Sequence, residues 1–582
     1  MNSPRTVASI SRFGRLVGTK QAQQQQRFRL NYYYGAASGD QSWMMTPVDS
    51  VGGKRYKSTE VASAKASSVV ENTTTKNNKA LPSAVGDFTD TKIAYANKSN
   101  LDLLRGVFVL MTCHEFVVRH ADQLLHFSKT FLGNTVTNAL VRATFFRHFC
   151  AGESEKEALK TMKKLHGYGV GGILDFAAEG DLSSNRSTDD VSMSREYEYE
   201  SERVCDSHMR NFEECVTVAG KGGFAAVKVT ALGDAETIRK ISLCVTEINA
   251  LFSRLEHDSG TKTTLTKHSF EQIYHRHFKG GVEGSNHLFD AIMHSARARF
   301  HNDEDSLNDE IDVWEWLSFV TPREFVALSK RMKNPPTHFD WTLEDTNKLD
   351  RMIGRLDRIA KKASDLGVKI MIDAEQTYFQ PAIDALTLEL QRRHNSSAQG
   401  PVVLSTYQAY LKDAKERLGF ALKAAERERW TFACKVVRGA YLVRERALAA
   451  EENRPSPIHD TLEDTAQAYR DCCELVLKNG PKSELVVASH NRESVLEVLK
   501  LMDQNGRKIG TVSFAQLYGM ADAVSFGLAA GGHPVFKYLP FGPVQEVLPY
   551  LVRRAQENSS VTAAANAEMK LIASEIKRRM FG

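Results

Sequence analysis

From about Gly171 onward, short apolar segments alternate with longer stretches in which apolar residues recur at helical spacing. The short segments are GGILDFA (171–177), FAAVKVTAL (224–232), VKIMIDAE (368–375), VVLSTYQ (402–408), FACKVVRGAY (432–441), ELVVASHN (484–491), GTVSFAQL (510–517) and PVFKYLP (534–540). Runs this continuously apolar suit strands buried on both faces, and helix-length connections between them suit a parallel sheet. Eight such units predict a (β/α)₈ barrel, with a doubly wound open sheet as the alternative. Polar residues gather at the trailing ends of the strands: Glu179, Lys228, Asp373, Gln408, Arg438, His490 and Tyr538. That placement favours the barrel, whose active sites lie at this face.

Two regions depart from the repeat. Between Leu101 and His166, LLRGVFVLMTCHEFVVRHADQLL and NALVRATFFRHFCAG carry helical periodicity and predict a helical arm, spanning 91–167, that packs on the barrel domain of 168–582. The connection from Leu232 to Val368 is too long for a simple crossover and predicts a helical insertion over about 233–367. Within it Glu304, Ser306, Asn308, Glu310, Asp312 and Glu315 fall at the offsets of a calcium-binding EF loop over 304–315, but Asp309 stands where the turn wants glycine. A solvated acidic loop is the plainer reading.

The net charge of +5 would suggest an anionic partner, but Arg5, Arg12, Arg15, Lys20, Arg27 and Arg29 all lie in the acid-free residues 1–39. Without those six, 70 basic residues face 71 acidic ones, which argues against nucleic-acid binding by phosphate neutralisation. The start MNSPRTVASISRFGRLVG has the character of a mitochondrial transit peptide, assigned here to 1–39, and residues 40–90 read as a disordered linker. The eight cysteines show no C-x-x-C or zinc spacing, so they are expected to be reduced thiols. No apolar run is long enough to span a bilayer.

Chemistry concentrates in KVVRGAYLVRER (435–446), where a strand is followed by Gly439 and Ala440 among several cations. Small residues allow close approach of a bound group, and the cations suit phosphate or carboxylate. VRGAYLVRER, VVASHN, LYGM, FKYLPFGPVQEVLPYLVRRAQENS and IDAEQTYFQP together resemble, in wording and order, the proline dehydrogenase family, over about Gly171 to the end of the chain. The resemblance implies a distorted (β/α)₈ barrel with FAD across the strand ends and a last helix over the mouth. The chain has no G-x-G-x-x-G after a strand and no Walker loop, so a Rossmann-type cofactor site is not supported.

By the same resemblance, Lys228, Arg553 and Arg554 hold the carboxylate of L-proline, while Glu179 and Glu557 brace this clamp. Asp373, Tyr441, Leu517, Tyr538 and Tyr550 wall the proline ring, and the tyrosine at 538 favours proline over hydroxyproline. The flavin positions are Asp373, Gln408, Lys435, Val437, Gly439, Ala440, Thr465, His490 and Asn491, with Gln408 at the isoalloxazine edge, Lys435 near the charge that develops on the reduced ring, and His490 at phosphate. The chain departs from the bacterial pattern in carrying Lys435 for arginine and Leu442 for tryptophan. The implied reaction is hydride transfer to flavin N5 with pyrroline-5-carboxylate as product. Electrons then pass to membrane quinone (ubiquinone), which implies peripheral contact with the matrix side of the inner mitochondrial membrane.

Three other readings compete. Hydroxyproline dehydrogenase is the nearest. A Schiff-base lyase using Lys228 belongs to a different enzyme class. A calcium-responsive scaffold that has lost its chemistry would rest on the acidic loop alone.

Overall fold

The computed structural model describes residues 88–112, 120–176, 202–258, 264–300, 310–336, 339–396, 400–560 and 562–582. The transit-peptide and linker assignments up to residue 87, Glu179, and the loop positions Glu304, Ser306 and Asn308 lie outside them.

All eight apolar segments form strands: β1 (Val170–Phe176), β2 (Phe224–Val227), β5 (Lys369–Ile372), β6 (Val403–Gln408), β7 (Phe432–Val437), β8 (Ser483–Ala488), β9 (Val512–Leu517) and β10 (Val535–Phe541). They pair in parallel and in chain order around a closed barrel, with β1 joined to both β2 and β10. A doubly wound sheet would reverse its strand order and leave two open edges; this one does neither. Helices clothe the barrel, among them Leu343–Leu366, Gln380–His394, Ala414–Glu428, Leu462–Lys478 and Arg492–Gln504.

Strand alternation explains how the interior is filled. Ile173, Ala226, Met371, Leu404, Ala433, Val486 and Ala515 form one buried cluster inside the barrel, with Phe536 packed on it. Successive strand side chains point to opposite faces, so the residue two places further along each strand also points inward, one layer nearer the mouth. That second layer reads Asp175, Lys228, Asp373, Thr406, Lys435, Ala488, Leu517 and Tyr538. An apolar floor therefore supports a layer that is mostly polar.

The excursion between β2 and β5 holds the helices Ala235–Asp258, Lys267–His277, Gly281–Phe300, Val313–Phe319 and Pro322–Ser329. It is not purely helical, since β3 (Thr264–Thr266) and β4 (Glu310–Asp312) pair antiparallel. Three-residue strands are too short to leave a periodic signal. At the end of the candidate calcium loop, Asp312 Oδ1 accepts from Trp314 N at 2.6 Å and Glu315 N at 3.1 Å, and Glu315 Oε2 accepts from Asp312 N at 2.9 Å. These two acids make a reciprocal helix cap and also face Arg427. Among the described residues no group of three potential metal-ligating side chains occurs.

The arm comprises helices Asn100–Thr112, Ala121–Val141 and Glu155–His166, joined to the barrel where Ala151 N donates to Pro540 O. Ala121–Val141 is not straight, because Gly133 has φ 76° and ψ 161°. Ser128 Oγ lies 2.9 Å from Thr137 Oγ1, nine residues on, so the chain doubles back into a helical hairpin. Tyr95, which caps the short helix Thr91–Ala94, is stitched to the last helix, Thr562–Phe581: Arg579 donates to Tyr95 O, and Tyr95 OH donates to Glu568 at 2.7 Å. All seven described cysteines are buried thiols.

Candidate active site

The polar layer converges on Asp373, just past the end of β5. Lys435 Nζ donates to its Oδ1 at 2.6 Å, and the Tyr538 hydroxyl donates to its Oδ2 at 2.6 Å. Lys228 Nζ is 4.0 Å from Oδ2 and pairs with Asp175 of β1. Burial alone would raise the Asp373 carboxyl, but the Lys435 and Lys228 ammonium groups and the two hydrogen bonds outweigh it, holding the group ionised below the usual carboxylate range. Burial, with Asp175 and Asp373 nearby, pushes the Tyr538 phenol far up, so it stays a donor. Lys435 also lies over the Tyr538 ring, 5.4 Å from its centroid.

Asp175 is the member that sequence reading missed. An acid in an otherwise apolar, fully buried strand was the available signal, since such a group demands a partner. Glu375, two residues after Asp373, is buried too and accepts from Thr230 N and Oγ1. Burial pushes its carboxyl up to about 7 against those bonds.

Around this core the implied flavin positions cluster at the ends of β6, β7 and β8. Gln408 is buried with no partner for Oε1, and Thr406 Oγ1 below it has none among the described residues. Gly439 has φ 133°, and a Cβ there would fall 1.5 Å from a ring carbon of Tyr410. The chain after β7 can therefore take this path only with glycine. Val437 ends β7, exposed Ala440 follows Gly439, and Tyr441 starts the helix Leu442–Glu451. Thr465 is buried on Leu462–Lys478, where Oγ1 donates to Thr461 O. Asn491 caps the helix Arg492–Gln504, its Oδ1 accepting from Ser494 N at 2.8 Å, which leaves a helix N-terminus at the rim.

His490 differs from the expectation of a phosphate contact. Its Nε2 accepts from Leu517 N at 3.0 Å, and burial together with Lys537 and Arg554 pushes its pKa down to about 3. The ring is neutral at ordinary pH and fixes the backbone of Leu517. It brings no positive charge to a phosphate. Lys537, wholly buried, holds the same loop from behind, donating to Met520 O at 2.6 Å and pairing with Asp522 at 2.8 Å.

The helix Val544–Ser560 closes the arrangement. Val547, Leu551 and Ala555 pack with Phe146 and Phe149 of the arm, while Tyr550, Arg553 and Arg554 recur at helical spacing. The Arg554 guanidinium lies over the Tyr550 ring at 4.9 Å and is close enough to His490 to depress its pKa; Tyr550 similarly influences Tyr538. Tyr550 and Arg554 therefore lie beside the polar layer. Glu557 is on the same helix, with its side chain outside the described set.

The family model for proline dehydrogenase matches residues 158–567. The chain belongs to the proline dehydrogenase family. It is an oxidoreductase of proline catabolism. Human mitochondrial proline dehydrogenase 1 is 34% identical over 550 residues, covering 85% of this chain and 90% of that one, and the Caenorhabditis elegans counterpart is 32% identical over 556 residues, covering 85% and 88%. Bos taurus hydroxyproline dehydrogenase is 43% identical over 245 residues, 41% of this chain and 53% of that one. The solved structure of proline utilization A from Bdellovibrio bacteriovorus aligns at TM-score 0.48 and 17% identity, covering 81% of this chain and 38% of that one.

Proposed function

We propose that this protein oxidises L-proline to pyrroline-5-carboxylate with FAD as its cofactor and a membrane quinone as final acceptor, in the mitochondrion on the matrix side of the inner membrane. The observation that carries the reading is the polar layer of Lys228, Asp373, Lys435 and Tyr538 with Tyr550 and Arg554 of the closing helix beside it, in a chain of this family. Localisation is inferred from the basic start of the chain and from the named mitochondrial relatives, and the acceptor from the family resemblance.

The residues fit a flavin: Gln408 is buried with an acceptor unmet among the described residues, Lys435 is held by a carboxylate, and the helix N-terminus beyond Asn491 lies at the rim. Gln408, Lys435, Val437, Gly439, Ala440, Thr465, Asn491 and Asp373 would hold it, with His490 fixing the Leu517 backbone beside them. When bound, it supplies the acceptor for the hydride lost from the ring carbon beside nitrogen. Arg553, Arg554 and Lys228 bind the carboxylate of proline, fixing which ring carbon points inward. Tyr441, Leu517, Tyr538 and Tyr550 wall the ring and exclude water, with Glu179 and Glu557 bracing the clamp. The ring nitrogen gives up its proton as the C–N bond becomes C=N. Lys435, oriented by Asp373, sets a positive charge beside the place where negative charge accumulates.

Lys228 is ion-paired to Asp175, whereas a Schiff-base lyase needs a neutral, available amine, so the ion pair argues against that chemistry. The identity to a hydroxyproline dehydrogenase keeps that activity as the second reading. Against it, the Tyr538 phenol occupies the wall of the slot and is tied to Asp373. An absorption spectrum of the purified protein before and after anaerobic L-proline tests both. Flavin bands that bleach with proline support the proposal; a colourless protein that takes up no FAD sinks it, and bleaching by hydroxyproline alone moves it to the sister activity.

A further inference from the structure

The helical hairpin of the arm leaves its apolar side chains in water. Phe131 is 70% exposed, and Phe127, Leu132, Val136 and Leu140 are about half exposed or more. Phe127 and Phe131 lie with ring centroids 4.2 Å apart at the hairpin tip, where Gly133 reverses the chain. The neighbouring helix Asn100–Thr112 adds exposed Phe108 and Met111. An exposed apolar surface of this kind is a binding surface in soluble proteins.

Charge distribution points to the occupant. No ionisable side chain occurs from Thr130 through Val141, so the tip is uncharged. Exposed Lys129 and Arg147 lie behind it, Arg142 is paired with Glu153, and Asp122 is the single acid between Ala121 and Phe149. An apolar tip with cations behind it matches the order of acyl chain and acidic headgroup in an anionic bilayer. A second copy of the same surface would set these cations against each other.

The far side of the hairpin gives this surface a purpose. Phe146 and Phe149 pack on Val547, Tyr550 and Leu551 of the closing helix, the helix that carries Arg553 and Arg554. We propose that the hairpin tip, led by Phe131 and Leu132, docks the enzyme on an anionic lipid bilayer and so brings the covered mouth of the barrel to the membrane surface. No helix among the described residues is long and apolar enough to cross a membrane, so the contact is interfacial. The proposal rests on the reading of a lipid-soluble acceptor for its purpose, but the docking is measurable by itself.

Flotation of the FAD-loaded full chain with phosphatidylcholine vesicles, with and without phosphatidylglycerol, tests it against the F131S/L132S variant. The unaltered protein should float with the anionic vesicles and less with the neutral ones. The variant should lose at least about tenfold in vesicle affinity, since each buried aromatic or leucine side chain is worth more than a factor of ten when taken out of water. Its proline-dependent reduction of a soluble dye and its unfolding temperature should not change. Equal flotation of both proteins, or none by the unaltered one, overturns the proposal. A changed oligomeric state with unchanged flotation also overturns it and assigns the surface to a second copy. Hairpin-dependent flotation without turnover of a lipid-embedded quinone supports docking and refutes the acceptor reading; turnover of a lipid-embedded quinone by an enzyme that never floats does the reverse.

Discussion

The Tyr538 hydroxyl donates to Asp373 across 2.6 Å, joining the last strand of the barrel to the third across the interior. Asp373 thereby serves two donors from opposite sides, because Lys435 occupies its other oxygen. Replacing Asp373 with alanine leaves a buried lysine uncompensated, and the expected loss of stability is roughly 3–5 kcal/mol. Chemical denaturation measures it. Asp373→Asn, which keeps the shape, should lose less stability but still slow flavin reduction by proline.

Tyr538 carries bulk and a hydrogen bond together, and two variants separate them. Tyr538→Phe removes the bond to Asp373 and should weaken turnover of proline with little change in selectivity. Tyr538→Ser opens the slot, and the ratio of kcat/KM for hydroxyproline to that for proline should rise about tenfold. Steady-state kinetics with both substrates read the difference; an unchanged ratio in Tyr538→Ser removes Tyr538 as the selecting residue.

Arg554 is buried against Tyr550 on the closing helix. If it holds the substrate carboxylate, Arg554→Met loses a charge-assisted bond worth about 1.5–3 kcal/mol, or roughly a 10- to 100-fold weaker proline affinity. Anaerobic titration of the flavin spectrum gives that affinity directly. Flavin content should stay the same.

Gly439 has no room for a methyl group beside Tyr410 and adopts φ 133°. Gly439→Ala should therefore displace the loop after β7 and purify with reduced flavin content, at a stability cost of at least about 1–3 kcal/mol. The ratio of flavin absorbance to protein absorbance reports it.

His490 and His148 are both partly buried, and desolvation of the ring is the main cause that lowers each from 6.5 to about 3. Between those values the unfolded chain binds a proton at each site that the folded chain refuses, so stability falls as pH falls from 6.5 towards 3. The expected slope is about 1.4 kcal/mol per pH unit for each histidine. Asp373 acts in the same direction below the unfolded carboxylate range, because its folded value is depressed. Denaturation midpoints at several pH values should show His490→Gln with a shallower acid limb than the unaltered protein.

The eight strands and their inward polar ends were legible in the sequence because burial on both faces and a period of two are local properties of each segment. The family motifs were equally local: VRGAYLVRER and YLVRRAQENS place their residues on one strand end and one helix whatever surrounds them. Which residues those segments meet was not legible. Asp175 takes Lys228, Asp373 takes both Lys435 and Tyr538, and His490 is spent on Leu517 N, all across sequence separations that no period records. Likewise Asp312 and Glu315, which sit at calcium-loop offsets, are used to cap a helix that begins beside them. The sequence by itself determined the barrel's units and the chemical types at its mouth. Closure of the sheet, the ion pairs inside it and the exposed hairpin were decided by tertiary structure, because a buried charge or an apolar face is defined only by what packs against it.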